Sequence, residues 1–219
     1  MTHLYALDGP RQKFAILLGG DLTVTDRLRR QIAGSRAIAA DGGMAHAAAL
    51  GLPVELWVGD FDSSSADLQA TYQDIPRQTH PADKDKTDGE IAIDAALALG
   101  ATELVLVGAL GGQTDHALGN LGLLLALAGR DVTAYATSGR EEAYPLTRRL
   151  ELDLPAGSRL SVIAFSPLFG LDISGVRWPL ANADVSMGST WTLSNVATGA
   201  VTLGLIHGTA VVVAYPGEG

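Results

Sequence analysis

The sequence predicts an α/β protein in which a doubly wound, mostly parallel sheet (residues 1–138) precedes a C-terminal all-β sandwich (residues 139–219). Three observations carry that expectation. Short continuous apolar runs alternate with longer helix-like runs through the first two thirds of the chain, the pattern of repeated βα units. The apolar runs end at Gly, Asp or Thr, as strands do where they open into a ligand-facing loop. After about Ser138 the helical periodicity disappears, and short runs alternate with Gly, Pro, Ser and Asn turns.

Taken in order, residues 14–18 form an apolar run closed by Gly19-Gly20, as expected of a strand buried on both faces. Residues 36–40, 56–58, 104–107 and 132–136 read the same way. Helices are expected over 26–33, 43–50, 67–73, 89–99 and 117–128. The fourth has the clearest start, because Thr87 and Glu90 make a capping box, and Gly100 supplies its stop. Strands are expected at 150–154, 159–165, 200–205 and 210–215 in the C-terminal part. The junction falls at residues 137–140, with no long flexible linker and no internal repeat.

Composition narrows the function. Of 219 residues 47% are hydrophobic and 18% charged, a globular balance, and no apolar run reaches the roughly 18 residues of a membrane span. The N-terminal stretch lacks the basic and apolar regions of a signal peptide and reads as a leader strand or tail, so a cytoplasmic setting is expected. With no cysteine, disulfide and thiolate chemistry are excluded. A net charge of −9 without a basic cluster argues against nucleic acid and anionic membranes as partners. An acidic protein that handles a polyphosphate needs divalent cations between its carboxylates and the phosphates.

Four segments at expected strand ends suit that chemistry. In Asp41-Gly42-Gly43 the glycines let backbone approach a phosphate and open a helix whose N–H groups favour anions. In Gly59-Asp60-Phe61-Asp62-Ser63 two carboxylates one residue apart can share a magnesium ion. In the stretch Asp83-Lys84-Asp85-Lys86-Thr87-Asp88, Asp85 and Asp88 can complete a metal site while Lys84 and Lys86 offer point charges to phosphate oxygens. Gly108 to His116 is a glycine-rich strand-to-helix loop that fits neither the dinucleotide nor the Walker pattern. Each segment also has a plain reading as helix caps or solvated loop; their joint placement favours a site. Trp178 reads from residue type as a core or edge aromatic, though an aromatic platform also suits a flat cation. Trp57 and Trp191 read as structural.

In this combination and order the sequence resembles the thiamine pyrophosphokinases. The resemblance rests on Asp41 to Gly43, Gly59 to Ser63, Lys84 to Asp88 and Gly111-Gly112 through Asp115-His116, with Gly175 to Leu180 and Ser194-Asn195 in the β half. It implies ATP-dependent, Mg2+-dependent transfer of pyrophosphate to the hydroxyl of thiamine, giving thiamine diphosphate and AMP. It further implies an α/β catalytic domain, a β-sandwich domain, and a homodimer with thiamine bound at the subunit interface. By the same resemblance Asp60, Asp62 and Asp88 are the magnesium positions, and Asp41 and Asp115 are further active-site aspartates. Gly42, Gly43, Lys84, Lys86, Thr87, Gly111, Gly112 and His116 fall on the nucleotide side, and Trp178, Ser194 and Asn195 on the thiamine side. One departure is that Gln113 stands where the family usually has arginine, offering hydrogen bonds without charge. Two rival readings are a pyrophosphokinase acting on a hydroxymethyl pterin and a non-catalytic nucleotide- or metabolite-binding module. Either Asp41 or Asp115 can serve as the base that takes the hydroxyl proton.

Overall fold

The apolar runs of the N-terminal part alternate their side chains between two faces, and helices cover both. In the computed structural model, residues 12–62, 64–81 and 85–217 are described. The N-terminal leader, Ser63, Asp83 and Lys84 named above lie outside them. Six parallel strands, β1 (Lys13–Leu17), β2 (Arg36–Ala40), β3 (Val54–Gly59), β4 (Arg77–Thr79), β5 (Glu103–Val107) and β6 (Thr133–Thr137), lie in the order β6-β5-β1-β2-β3-β4. The order reverses at β1, so β1 and β5 diverge toward opposite sides and leave a crevice at their carboxyl ends.

The helices are α1 (Asp26–Ile32), α2 (Ala47–Leu50), α3 (Ala66–Thr71), α4 (Asp88–Ala98) and α5 (Thr114–Leu127). Phe14, Ile16, Ile38, Leu104 and Leu106 pack under α4 and α5, whereas Ala15, Leu17, Ala37, Val105 and Val107 pack under α1 and α2. This period-two division makes the sheet doubly wound. Thr87 caps α4 as its sequence predicts, its hydroxyl accepting the Glu90 N–H at 3.2 Å.

Two local expectations change. The helix expected over 43–50 is a 3-10 segment, Asp41–His46, followed by the single turn α2 and stopped by Gly51 at φ 66°. Gly43 presses on β1 so closely that a Cβ there would lie 2.1 Å from the Leu17 carbonyl oxygen, and the segment winds tightly to fit. Strand β4 has three residues, all exposed, and carries no apolar signal to read.

The β half consists of β7 (Glu142–Leu146), β8 (Arg149–Leu152), β9 (Arg159–Ala164), β10 (Leu168–Val176), β11 (Leu180–Val185), β12 (Asn195–Gly204) and β13 (Ala210–Tyr215). Antiparallel pairing extends the main sheet from β6 through β7, β13 and β9. Strand β12 begins beside β9 and then crosses into a second antiparallel sheet with β8, β10 and β11. Leu146, Leu160, Val162, Val212 and Ala214 face Leu152, Leu171, Ile173, Val201 and Leu203 across a common core. Val211, on the opposite face of β13, joins the core beneath α5. The two halves therefore share one sheet. Among the described residues no helix is long and apolar enough to cross a membrane.

Where the sheet changes from parallel to antiparallel, one buried carboxylate collects four hydrogen bonds. Glu142 is fully buried and accepts from Arg27 Nε at 2.5 Å, Arg27 Nη2 at 2.9 Å, Gln31 Nε2 at 2.6 Å and the Tyr144 hydroxyl at 2.6 Å. These bonds raise the pKa of Arg27 above its ordinary value, chiefly through the Glu142 pairing. Burial, with Glu142 nearby, also pushes the Tyr144 phenol up, and burial does the same for Tyr135, which stacks on it at 5.4 Å. The β1–α1 loop is tied to the β6–β7 turn by Thr23 N to Ser138 O (2.9 Å) and Thr25 Oγ1 to Gly139 O (3.2 Å).

Arg27→Ala strands the Glu142 carboxylate and should cost about 3–5 kcal/mol of unfolding free energy, measured by urea denaturation. Both raised phenols favour the folded state below their unfolded pKa of about 10, and that contribution is lost as pH climbs further. Phenolate absorbance from Tyr135 and Tyr144 should therefore appear only as alkaline unfolding proceeds, and its appearance in the intact fold near pH ~10 would contradict the burial argument.

Candidate active site

The acidic residues sit where adjacent parallel strands end. Asp41 follows β2 and adopts φ 41°, an uncommon conformation that Asp tolerates better than most residues. Its carbonyl accepts the Trp57 indole N–H at 2.9 Å and its Oδ1 accepts the Ser64 hydroxyl at 3.0 Å. Gly59, at the end of β3, lies so near that a Cβ would be 3.2 Å from the Asp41 Cβ. Asp60 comes next, its Oδ1 accepting the Asp62 N–H at 3.2 Å in an Asx turn through Phe61 at φ 66°.

That turn is tethered from below. The Phe61 ring meets Trp57 edge-on at 5.0 Å, and the Arg77 guanidinium lies over both rings at 4.9 and 5.2 Å. Gln69 Nε2 donates to the carbonyls of Phe61 (3.3 Å) and Ser64 (3.0 Å). Asp88 opens α4, which packs across β1, β2 and β3 and so brings its first turn over the ends of those strands.

The consequence is a group of three half-buried carboxylates, Asp41, Asp60 and Asp88, with one oxygen of each within 4.8 Å of the others. Oxygens sharing a magnesium ion lie at most about 4.2 Å apart, twice the metal–oxygen distance, so a small inward movement completes the fit. An all-oxygen, anionic donor set suits a hard divalent cation rather than a soft one. Asp62 lies on the exposed side of the turn and is not a member of the group.

The remaining expected residues are arranged around this centre. Gly42 and Gly43 follow Asp41 in the 3-10 segment. Lys86 pairs along α4 with Asp94 at 2.6 Å and Glu90 at 3.3 Å, which raises its pKa and directs its charge toward the helix. The Thr87 hydroxyl serves as the α4 cap. Gly111 and Gly112 adopt φ 94° and 72° before α5, where Asp115 Oδ1 accepts the His116 N–H at 2.9 Å and both side chains are exposed. Gln113 is the residue preceding α5 and makes no side-chain cap.

A second concavity of about 290 Å³ lies in the β half, lined by Trp178, Trp191, Leu193 and Asn195 among others. Trp178 is 54% exposed, so the core reading of that residue does not hold. Trp191, read as structural, is 61% exposed beside it. Asn195 Oδ1 accepts the N–H of Trp178 at 3.2 Å and that of Val196 at 2.9 Å, while its Nδ2 donates to the Trp178 carbonyl at 2.8 Å. Its amide thus holds the backbone that presents the indole. Arg177 sits over one part of that ring at 5.0 Å from its centroid. Ser194, at φ 60°, is fixed by its N–H to Ser161 Oγ at 3.0 Å. Among the described residues, none of the α/β part lines this concavity.

Residues 32–136 match the family model for the thiamin pyrophosphokinase catalytic domain. A thiamine pyrophosphokinase of Bacillus subtilis (strain 168) is 29% identical over 150 residues, spanning 66% of this chain and 69% of that protein. The chain is similar to the thiamine pyrophosphokinases. The thiamin pyrophosphokinase structure from Geobacillus thermodenitrificans matches at a TM-score of 0.78 and 26% identity, covering 93% of this chain and 97% of that one. For the fold alone, the Bacillus subtilis thiamine pyrophosphokinase structure matches at 0.82 and 22% identity, covering 94% and 100% of the two chains. The acidic group lies within the region that matches the catalytic-domain model.

Trp57 is structural as its sequence reading has it, but its bond to Asp41 and that of Ser64 carry no local pattern, since the indole donates to a carbonyl 16 residues away. Manganese titration calorimetry should show about tenfold or greater weakening in Asp41→Asn and Asp88→Asn, and a loss of roughly tenfold in Trp57→Phe, which removes only the indole donor. Affinities equal to wild type in all three would dissociate the acidic group from metal binding.

Proposed function

We propose that this protein is a thiamine pyrophosphokinase that transfers the β,γ-pyrophosphoryl group of ATP to the hydroxyl of thiamine, with Mg2+ as cofactor. The observation that carries the proposal is the convergence of Asp41, Asp60 and Asp88 at the ends of β2 and β3 and the start of α4. The thiamine oxygen forms a bond to the β-phosphorus as the bond from that phosphorus to the α,β-bridging oxygen breaks, and AMP leaves with the electron pair. Magnesium, when bound by Asp41, Asp60 and Asp88 with Asp62 adjacent, supplies charge neutralisation on the phosphates.

The protein's own groups do the rest. With Asp41 engaged in the acidic group, Asp115 is the carboxylate left to accept the hydroxyl proton. The first turns of α4 and α5 present backbone N–H groups toward the crevice, a favourable environment for phosphate oxygens. Trp178 and Trp191 form an aromatic site suited to the flat, cationic thiamine, with Asn195 fixing the Trp178 backbone.

In this reading residues 1–138 form the catalytic domain and 139–219 the thiamine-side domain. Because the aromatic concavity has no wall from the described residues of the α/β part, pairing of two chains is the arrangement that would bring thiamine to the nucleotide. Exposed Trp178, Met187, Trp191 and Leu193 supply an apolar surface for that pairing.

Incubation with ATP, magnesium and thiamine should yield thiamine diphosphate and AMP by mass spectrometry. Asp60→Asn should lower kcat at least about hundredfold. Absence of AMP release with thiamine, alongside release with a hydroxymethyl pterin, would overturn the assignment. Light scattering should report a dimer, and Trp191→Asp should shift it toward monomer with loss of turnover; a monomer with full activity would rule out the paired arrangement.

A further inference from the structure

The turn from Asp60 to Asp62 is restrained by a residue that lies outside the acidic group. Arg77 opens β4, the edge strand of the parallel part, and stands in register beside Trp57 of β3. All three residues of β4 are exposed, so none of its side chains is buried. What the strand contributes is the Arg77 guanidinium, which lies over the Trp57 ring at 4.9 Å and the Phe61 ring at 5.2 Å. The same group donates from Nη2 to the Gln69 carbonyl at 2.9 Å and from Nη1 to Gln69 Oε1 at 3.4 Å.

Gln69 passes the restraint on. Its side-chain oxygen faces Arg77, and its Nε2 donates to the carbonyls of Phe61 at 3.3 Å and Ser64 at 3.0 Å. Phe61 adjoins Asp60, and the Ser64 hydroxyl donates to Asp41 Oδ1 at 3.0 Å. The contacts therefore run from Arg77 through Gln69 to two of the three grouped carboxylates. Helix α3, which carries Gln69, has no buried residue. Apolar burial alone does not fix it over the turn, and the bonds to Arg77 do.

Small displacements matter here. The grouped oxygens lie within 4.8 Å of one another, and sharing a magnesium ion needs them within about 4.2 Å. Phe61 holds φ 66°, which a bulky residue leaves unless its surroundings prevent it. Its release would move Asp60 by on the order of an ångström, enough to loosen a set of this kind.

Charge and position make opposite demands on Arg77. As a cation beside Asp60 and Asp62 it competes with a divalent ion, so by charge alone its removal would tighten metal binding. As a planar fork that stacks and donates at once it holds the turn, so its removal would weaken metal binding. Arg77 is exposed, and water and salt screen its charge but not the geometry it imposes.

We infer that position dominates: Arg77, acting through Gln69, is a positioning residue that keeps Asp41 and Asp60 at the spacing a divalent cation requires. The inference deepens the proposed function and rests on its assignment of Asp41, Asp60 and Asp88 to a metal.

Manganese titration calorimetry on the full-length protein reads the sign directly. Arg77→Ala should weaken manganese binding by about tenfold, and Arg77→Lys, which keeps the charge without the planar fork, by at least about threefold. Gln69→Ala should match Arg77→Ala, and the double variant should lose no more than about twofold beyond either single one, because both act along one chain of contacts. In turnover with ATP and thiamine, Arg77→Ala should raise the magnesium concentration for half-maximal rate by about tenfold, with kcat at saturating magnesium and the KM for thiamine within about twofold. Manganese binding as tight as wild type or tighter in Arg77→Ala or in Arg77→Lys would overturn the inference, as would an additive loss in the double variant or failure of wild type to bind manganese. Absence of thiamine turnover in wild type, with manganese binding still weakened by Arg77→Ala, would instead overturn the proposed reaction and keep Arg77 in its role.

Discussion

The buried Glu142 carboxylate is the constraint on which the rest of the molecule depends. It stands at the first position of the first antiparallel strand, and its partners Arg27 and Gln31 come from the helix that covers the opposite end of the sheet's history, just after β1. A charge in that position must be paired and fully hydrogen-bonded, and four donors meet the requirement. Because three of those donors, from Arg27 and Gln31, are fixed to α1, the parallel and antiparallel parts of the sheet cannot drift relative to one another at this junction. The β1–α1 loop and the β6–β7 turn are then held within hydrogen-bond reach, and the crevice between them has defined walls.

On the far side of the crevice the constraint is of another kind. Asp41 and Phe61 both hold positive φ, a cost of order 1–3 kcal/mol for each residue kept out of its preferred basin. Such geometry persists only where the surroundings fix it more than once. Trp57, Ser64, Gln69 and Arg77 make up that surrounding, each touching the turn from a different element. The strand ends carry the carboxylates, and the aromatic and amide side chains below keep the connecting turn from relaxing.

Much of this was legible in the sequence, for identifiable reasons. Residues 36–40 and 104–107 read as buried parallel strands because a strand covered on both faces needs no polar alternation, and the structure places β2 and β5 there. Thr87 and Glu90 announced α4 because capping chemistry is local. Where the signal was long-range it was lost. Pro145 within β7, and Gly170 with Gly175 within β10, disguise strands whose pairing partners lie far along the chain. Trp57 and Trp191 have the same side chain, yet one is fully buried under Asp41 and the other is mostly exposed. Residue type alone cannot separate them. Lys86 looked available for a phosphate, but Asp94 two helical turns on draws it along α4.

The acidic character of the chain, unhelpful for a polyanionic ligand at first sight, is consistent with the proposed function through the group Asp41, Asp60 and Asp88. Three carboxylates within 4.8 Å repel one another, and only rigid strand ends and a capped helix can hold them so close. In the proposed function a divalent cation would relieve that repulsion and at the same time reverse the local sign, so the place most hostile to phosphate would become one able to bind it.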